Sequence, residues 1–253
     1  MKIGYIGVGN IASCMIEGFC SLGEEHDFFL SPRNASKSAA LAAKYPNVNI
    51  CRSNQRVVDE ADVIFITMMA ADCGEVLRGL KFRDNQQIIN VVATMPPEDV
   101  REAVGPVGSY SHIIPLPSVK HRHGPIAAYP EGTFLSQLLS PLGTVIFAKT
   151  LDDIRTMQAI TALIAAFYDM LSHLTGFAEK EGLGREQAIP YMSAFFASLC
   201  RNILDLDTDF DELLSEMTPG GLNLMALDIL RKQDATKAWA DALAPALARI
   251  KKS

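Results

Sequence analysis

The feature that most constrains this fold lies at the N-terminus, where a short apolar run leads into closely spaced small residues. Residues 2–6 favour a strand, and Gly7, Gly9 and Ala12 follow in GxGxxA spacing before apolar residues at helical intervals. In such a pattern the first glycine permits a tight turn, the second lets the backbone approach a pyrophosphate, and the third small residue allows close helix–strand packing. The spacing predicts a dinucleotide site, although a glycine-rich turn between two packed elements can have the same sequence.

Two residues that follow the second glycine belong to the same predicted site. Asn10 and Ile11 open the first helix, where N–H groups and the helix dipole favour an anion. We expect both residues to contact the cofactor. The side chain of Asn10 can meet a phosphate, but capping of the helix would also explain an asparagine at this position.

The end of the second predicted strand, at residues 27–30, indicates which cofactor binds. A site that prefers NAD usually has an acid there, about 20 residues past the glycines, whereas a 2′-phosphate calls for hydroxyl and arginine donors. Ser31 and Arg33 occupy this position, and no acid does. The sequence therefore predicts NADPH as the cofactor. The alternative is a simple turn in which Asn34 caps the next helix and Arg33 is solvated.

Strand and helix patterns alternate along the first part of the chain. Residues 63–67 form an unbroken apolar run, which is typical of a strand buried on both faces of a parallel sheet, and residues 87–92 are similar. This alternation predicts a doubly wound, Rossmann-type α/β sheet whose ligand lies across the carboxyl ends of its strands. Further strands that would extend the sheet are predicted at residues 110–114, 125–129 and 144–148.

A basic segment separates two of these later strands. Residues 115–124 contain two prolines, Lys120 and Arg122, and we expect a rigid, solvated loop. His121 and His123 also lie there, but no nearby cysteine or carboxylate completes a set of metal ligands. The sequence therefore predicts no metal site.

The composition changes at residue 151, after which no strand pattern is found. The prediction is a dinucleotide-binding domain at residues 1–150 and an all-helical domain at residues 151–253. Apolar residues recur at helical spacing through residues 157–174 and 189–203, and in both segments they cover more than one helix face. Such helices need a second surface to pack on, which predicts a homodimer through the C-terminal helices.

The net charge and the cysteine content indicate which partners the protein can bind and in which compartment it resides. The net charge of −6 over 253 residues argues against nucleic acid as a partner. Five scattered cysteines without paired spacing suggest a reducing compartment. The N-terminus has no secretory signal pattern, and the longer uncharged stretches are broken by polar residues, proline and glycine. We expect a cytoplasmic protein that does not bind a membrane.

Motifs at both ends of the chain resemble those of the pyrroline-5-carboxylate reductase family. Residues 3–12 (IGYIGVGNIA) are similar to the family fingerprint IGFIGxGNMA, and residues 218–221 (TPGG) are similar to its SPGG element. The resemblance extends along nearly the whole chain. It implies an N-terminal dinucleotide-binding domain, an all-helical C-terminal domain that interlocks two subunits, and reduction of a cyclic imine to proline with NADPH or NADH.

The same resemblance assigns further cofactor contacts. Asn54 corresponds to a contact with the adenosine half, and Ala93 and Thr94 correspond to backbone near the nicotinamide. Met68 stands at the start of the family's VKP motif, which here reads MMA, and we include it among the cofactor contacts.

Residues on the substrate side depart from the family pattern. Asn223 replaces the threonine that meets the imine, and residues 162–168 lack the family's glycines and hydroxyls. Asn223, Thr218 and Ser118 are the predicted catalytic residues, which would orient the substrate or relay a proton. Asn223 and Thr218 have helix capping as an alternative role. Tyr168 is a further polar candidate, for which a place in the helix core is the alternative.

The predicted substrate contacts are Gly220, Gly221 and Leu222. A glycine turn followed by a helix can present N–H groups to the carboxylate of an anionic substrate. Because the substrate motifs have diverged, two alternatives stay open. One is a reductase of another C=N or C=O compound, and the other is a dinucleotide-binding protein without turnover.

Overall fold

The computed structural model describes residues 1–23, 25–93, 95–206 and 209–252. The sheet has eight strands: β1 (Lys2–Ile6), β2 (Asp27–Leu30), β3 (Val48–Ile50), β4 (Val63–Ile66), β5 (Gln87–Asn90), β6 (Ser109–Pro115), β7 (Pro125–Tyr129) and β8 (Thr144–Phe147). The α-helices between and after these strands are α1 (Asn10–Cys20), α2 (Ala35–Lys44), α3 (Asn54–Glu60), α4 (Ala70–Arg78), α5 (Pro97–Val104), α6 (Thr133–Leu139), α7 (Leu151–Ile160), α8 (Ile164–Lys180), α9 (Arg185–Leu206), α10 (Phe210–Ser215), α11 (Leu222–Lys232), α12 (Ala235–Asp241) and α13 (Leu243–Lys252).

The described residues divide into two compact units. The first comprises Met1–Ala159 with Leu247–Ser253, and the second comprises Ile160–Ala246. The division thus falls after residue 159, nine residues beyond the boundary predicted from composition. The first turns of α7 belong to the first unit because buried Ile154 joins an apolar cluster with residues of β6 and β7.

The first unit is built on one sheet with the strand order β3-β2-β1-β4-β5-β6-β7-β8. Strands β1 to β6 run parallel, β7 runs antiparallel to β6, and β8 runs parallel to β7. The three later strands extend the sheet as predicted, and the doubly wound fold is confirmed. All carboxyl ends of β1 to β6 therefore lie along one edge.

Apolar side chains from the central strands fill both faces of this sheet. The rings of Tyr5 and Phe65 stack at 4.9 Å on one face, beneath α1. On the other face Ile64 and Ile66 pack with residues of α3 and α4. Such two-sided burial explains why the β4 sequence is an uninterrupted apolar run rather than an alternating one.

The segment between β6 and β7 differs from the predicted solvated loop. Pro117–His121 forms a 3-10 helix, and Val119 within it is fully buried. The backbone of this helix lies against α1 so closely that a Cβ added at Gly18 would be 2.4 Å from the Val119 carbonyl oxygen. The ammonium group of Lys120 is 3.0 Å from a carboxylate oxygen of Glu17. The sequence did not predict this packing, because Val119 is the one buried residue of a segment that is otherwise rich in basic residues and proline.

The second unit contains α8 to α12. Within it α8 and α9 pack side by side, and the rings of Phe167 and Phe196 meet edge to face at 6.0 Å. One helix prediction is corrected, because the pattern over residues 157–174 is interrupted by a 3-10 turn at Thr161–Leu163.

One helical stretch in the described part of the chain is long and apolar enough to cross a membrane. It is Leu151–Lys180, with a mean hydropathy of 1.3 in its most apolar window, of which 6% is buried.

Candidate functional site

The glycine turn after β1 has a backbone that only glycine adopts easily. Gly7 has a φ of +95°. A Cβ at this position would lie 2.8 Å from Cγ of Met68 and 2.9 Å from the carbonyl oxygen of Thr67. The turn is therefore closed against the end of β4, and any larger residue would push the two segments apart.

Side chains from the ends of neighbouring strands hold this turn in place. The Gly7 N–H donates to the hydroxyl of Ser31 at 2.9 Å, and the Thr67 hydroxyl donates to the Gly7 carbonyl. The Asn34 amide donates to the carbonyl of Val8 at 2.9 Å. The main chain that faces a cofactor is thus fixed before any ligand arrives.

The start of α1 is open to an anion. Gly9 is the cap residue, and a Cβ placed there would have its nearest atom 4.0 Å away. Asn10 is exposed and Ile11 is half-buried, while Ala12 is fully buried against the sheet. The first-turn N–H groups can therefore receive a pyrophosphate, with no acidic residue in that turn to repel it. The fold and this turn define a Rossmann-type dinucleotide-binding protein.

Ser31 and Arg33 occupy different environments. Ser31 is 1% exposed, and because its oxygen accepts from Gly7 it braces the turn. The side chain of Arg33 is 72% exposed and forms an ion pair with Asp72 in the first turn of α4. Asn34 does cap α2, since its side chain accepts from the Lys37 N–H. Asn34 therefore caps α2 as the simple-turn alternative expected, whereas Arg33 is exposed but also forms an ion pair with Asp72.

The other predicted cofactor residues lie after successive strands at the same edge of the sheet. Asn54 is the half-buried first residue of α3, whose cap is Ser53. Met68 follows β4 and is half-buried. Ala93 follows β5, and its carbonyl accepts a hydrogen bond of 2.5 Å from the Gln158 side chain in α7. Thr94 lies outside the described residues.

Ser118, one of the predicted catalytic residues, lies in the first turn of the 3-10 helix after β6. It is half-buried. Its carbonyl accepts from the His123 N–H at 3.2 Å, and a Cβ at Gly124 would lie 2.5 Å from its hydroxyl oxygen. The hydroxyl is therefore held close to the backbone of the loop that closes onto β7.

In the second unit, the predicted substrate turn leads directly into α11. The Thr218 carbonyl accepts from the Gly221 N–H at 2.9 Å, and Gly220 has a φ of +74°. Gly221 is the cap residue of α11, and Leu222, its first residue, is 77% exposed. The helix start is exposed to solvent, but a Cβ at Gly221 would lie 2.9 Å from the Thr218 carbonyl oxygen, so this cap is more closely packed than Gly9.

Asn223 does not cap α11, because Gly221 occupies the cap position. Asn223 is the second residue of α11 and is exposed, and its amide lies 3.4 Å from the sulfur of Met217. Thr218 is exposed and precedes the cap position, which Gly221 occupies. Both side chains are therefore accessible at the open helix start. Tyr168 is 66% exposed on α8, so it is not a core residue of this chain.

Three residues around the dinucleotide site were missed by the sequence analysis. Thr67 and Asp72 follow β4, and a polar residue directly after a buried parallel strand was a usable signal for Thr67. Gln158 carried no such signal, because the Ala93 carbonyl that it binds is 65 positions away in the chain.

The first unit also has a cavity of about 540 Å³ that no sequence pattern indicated. It is lined by α5, β6 and the end of β7, and includes Tyr110, His112 and Tyr129. Burial lowers the pKa of His112 to about 4, so this imidazole is neutral near pH 7. The Tyr110 hydroxyl donates to the Pro97 carbonyl at 2.6 Å. None of the predicted site residues that the structure describes lines this cavity.

Comparisons with known proteins agree with this geometry. A family model described as NADP oxidoreductase, coenzyme F420-dependent, matches residues 2–97. Pyrroline-5-carboxylate reductase 2 of Bacillus subtilis is 25% identical over 247 residues, which cover 91% of this chain and 87% of that protein.

Two solved structures are similar over their full lengths. The 1-pyrroline-5-carboxylate reductase of Streptococcus pyogenes aligns with a TM-score of 0.84 at 19% identity and covers 100% of this chain and 99% of its own. The Plasmodium falciparum pyrroline carboxylate reductase with NADP bound also has a TM-score of 0.84, at 17% identity and 100% and 97% coverage. The two structures show that this chain shares its fold with pyrroline-5-carboxylate reductases, and the Bacillus subtilis protein is similar to it in sequence over most of both chains.

Proposed function

We propose that the protein is an NADPH-dependent reductase of a small cyclic imino acid, of the pyrroline-5-carboxylate reductase kind. The observation that carries the proposal is the open start of α1 behind the braced glycine turn, in a chain similar over 91% of its length to a reductase of that name. NADPH fits the site because its pyrophosphate requires the space and the N–H groups that Gly9 leaves free.

The cofactor supplies a hydride from nicotinamide C4, and the chain has to align that carbon with the imine carbon and keep water out. In the proposed roles, Asn54 contacts the adenosine half, Met68 lines the site, and the backbone of Ala93 and Thr94 lies beside the nicotinamide. The Gln158 side chain supports this arrangement because it fixes the Ala93 carbonyl.

Arg33 is the proposed ligand of the 2′-phosphate. Arg33→Ala should lower NADPH affinity about tenfold or more, since a charge-assisted hydrogen bond contributes about 1.5–3 kcal/mol. NADH affinity should hardly change, because NADH has a hydroxyl in place of that phosphate. Titration of both cofactors against both proteins measures the difference. Equal losses for the two cofactors would mean that Arg33 does not bind the phosphate.

The open start of α11 is the proposed site for the substrate carboxylate. The Gly221 N–H already donates to the Thr218 carbonyl, so the N–H groups from Leu222 onward are the ones that can hold an anion without an arginine. Asn223 and Thr218, which are exposed there, and Ser118 of the first unit are proposed to orient the imine and relay its proton. This proposal needs no metal ion.

The test is NADPH oxidation with pyrroline-5-carboxylate, other cyclic imines and a set of 2-oxo acids. We expect turnover of a cyclic imino acid. Turnover of the oxo acids alone would favour a C=O reductase instead. Binding of NADPH without turnover of any compound would favour the non-catalytic alternative, which the replacement of the family threonine by Asn223 makes worth testing.

A homodimer through the C-terminal helices is the proposed assembly. Large apolar side chains of α8 and α9 are solvent-exposed in the single chain, including Phe177 at 64% and Tyr191 at 70%. Apolar surface of this extent favours association. Sedimentation or light scattering at low protein concentration should give twice the mass of the chain, and a stable monomer would contradict the proposal.

We also propose a cytoplasmic location. The apolar stretch Leu151–Lys180 contains a 3-10 turn and several charged residues, among them Asp169 near its middle. A second copy of the chain is a better partner for that surface than lipid, because charged residues within a membrane span are costly. Fractionation of cells that express the protein should recover it without membranes.

A further inference from the structure

The sequence shows no acid at the end of β2, but the fold brings one there from another element. Asp72, in the first turn of α4, forms an ion pair with Arg33. Arg33 follows β2 and α4 follows β4, and these two strands flank β1 on either side. The pair therefore spans the carboxyl end of β1, beside the glycine turn.

Arg33 therefore has two possible anionic partners, the Asp72 carboxylate and the 2′-phosphate of NADPH. Its guanidinium is paired with the carboxylate of Asp72. A 2′-phosphate that reaches Arg33 must share the guanidinium with this carboxylate or displace it, and the two anions repel each other. A ribose 2′-hydroxyl carries no charge, so NADH does not meet this competition.

We propose that Asp72 is a specificity-determining residue that limits the preference of the site for NADPH over NADH. The inference rests on the proposed function, since it requires that Arg33 and the glycine turn bind a dinucleotide. Asp72 acts through Arg33 by holding its guanidinium and through the repulsion between its own charge and the phosphate.

The experiment compares dissociation constants of NADPH and NADH for the wild-type protein and Asp72→Asn, each measured by nucleotide fluorescence. We expect Asp72→Asn to bind NADPH about tenfold more tightly, mainly because the Arg33 guanidinium no longer has to leave a carboxylate, with a smaller gain from the removal of one charge close to a dianion. NADH affinity should stay within about twofold. High salt should reduce the gain for NADPH, because exposed charges are screened.

Two further variants separate competition from a general charge effect. Asp27→Asn removes the same charge from the exposed first residue of β2, at the opposite edge of the sheet, and should leave both affinities unchanged. In the Arg33→Ala background, Asp72→Asn should increase NADPH affinity by less than about threefold, because the arginine for which the anions compete is gone.

The outcomes distinguish this inference from the proposed function. A wild-type protein that binds neither cofactor would overturn both. Binding of both cofactors with an unchanged or lower NADPH preference in Asp72→Asn would overturn only the role of Asp72, and a lower preference would show that Asp72 orients Arg33 toward the phosphate. Thermal unfolding of each variant checks that it is folded.

Discussion

The two units differ in how completely the chain covers its own apolar side chains. In the first unit the central strands are buried on both faces, and Ile3, Tyr5 and Phe65 are completely inaccessible. Among the described residues of the second unit, only Thr175 and Ala188 are buried. The apolar side chains of the two units therefore differ sharply in their exposure to solvent.

Apolar periodicity predicts which side chains need to be buried, but not whether the same chain or a partner covers them. A run such as β4 has its partners within the same sheet and helices, so its burial follows from the fold of one chain. The apolar faces of α8 and α9 have no comparable cover within the second unit. We infer that the first unit is stabilised by its own core and the second by assembly, as the proposed dimer requires.

The largest expected effect comes from matched truncations in the two units. Phe65→Ala should lower the free energy of unfolding by about 3–5 kcal/mol, because it leaves a cavity beside the Tyr5 ring. Phe177→Ala removes the same ring from a position that is 64% exposed. At concentrations where the chain is monomeric, Phe177→Ala should lower the free energy of unfolding by less than about 1 kcal/mol.

Urea unfolding at two protein concentrations measures both effects. The single tryptophan, Trp239, reports on the second unit, while NADPH fluorescence reports on the first. If assembly covers Phe177, its truncation should matter more at high concentration. If the two variants lower the free energy of unfolding equally at every concentration, the two units do not differ in how they are stabilised.

A second expected effect is a loss of stability in acid, which comes from a buried histidine of the first unit. Burial lowers the pKa of His112 from 6.5 to about 4. Between these pH values the unfolded chain binds a proton that the folded chain does not, so stability falls as pH falls through this window. The full loss is about 3 kcal/mol below pH 4. His112→Gln should unfold with a flatter pH dependence over the same window.

The control for this prediction is His121→Gln, which removes an exposed histidine from the 3-10 helix. It separates the loss of the buried imidazole from the loss of a histidine as such. All other titrating groups are common to the three proteins, so the difference in slope isolates His112. A wild-type slope in His112→Gln would mean that the buried imidazole does not determine acid sensitivity.

How far the sequence predicts this molecule depends on how local each determinant is. The glycine turn and the buried strands are encoded in neighbouring residues, so the doubly wound sheet and the phosphate-binding helix start were predictable. Gln158 and Asp72 act on Ala93 and Arg33 from helices far away in sequence. Side-chain contacts of that kind depend on the tertiary packing, which periodicity does not specify.

The smallest expected effect tests whether the second unit retains the family's substrate site. Asn223 is exposed and its one described contact, with the Met217 sulfur, is weak, so Asn223→Thr should change stability by less than about 0.5 kcal/mol. Because the change restores the family residue at an open helix start, we expect a severalfold rise in kcat/KM for pyrroline-5-carboxylate and unchanged NADPH affinity. Asn202→Thr, an equally exposed change on α9, should alter neither quantity. If Asn223→Thr instead lowers turnover of pyrroline-5-carboxylate, the asparagine is adapted to the substrate that the protein now uses, and the likeness to the family ends at the cofactor.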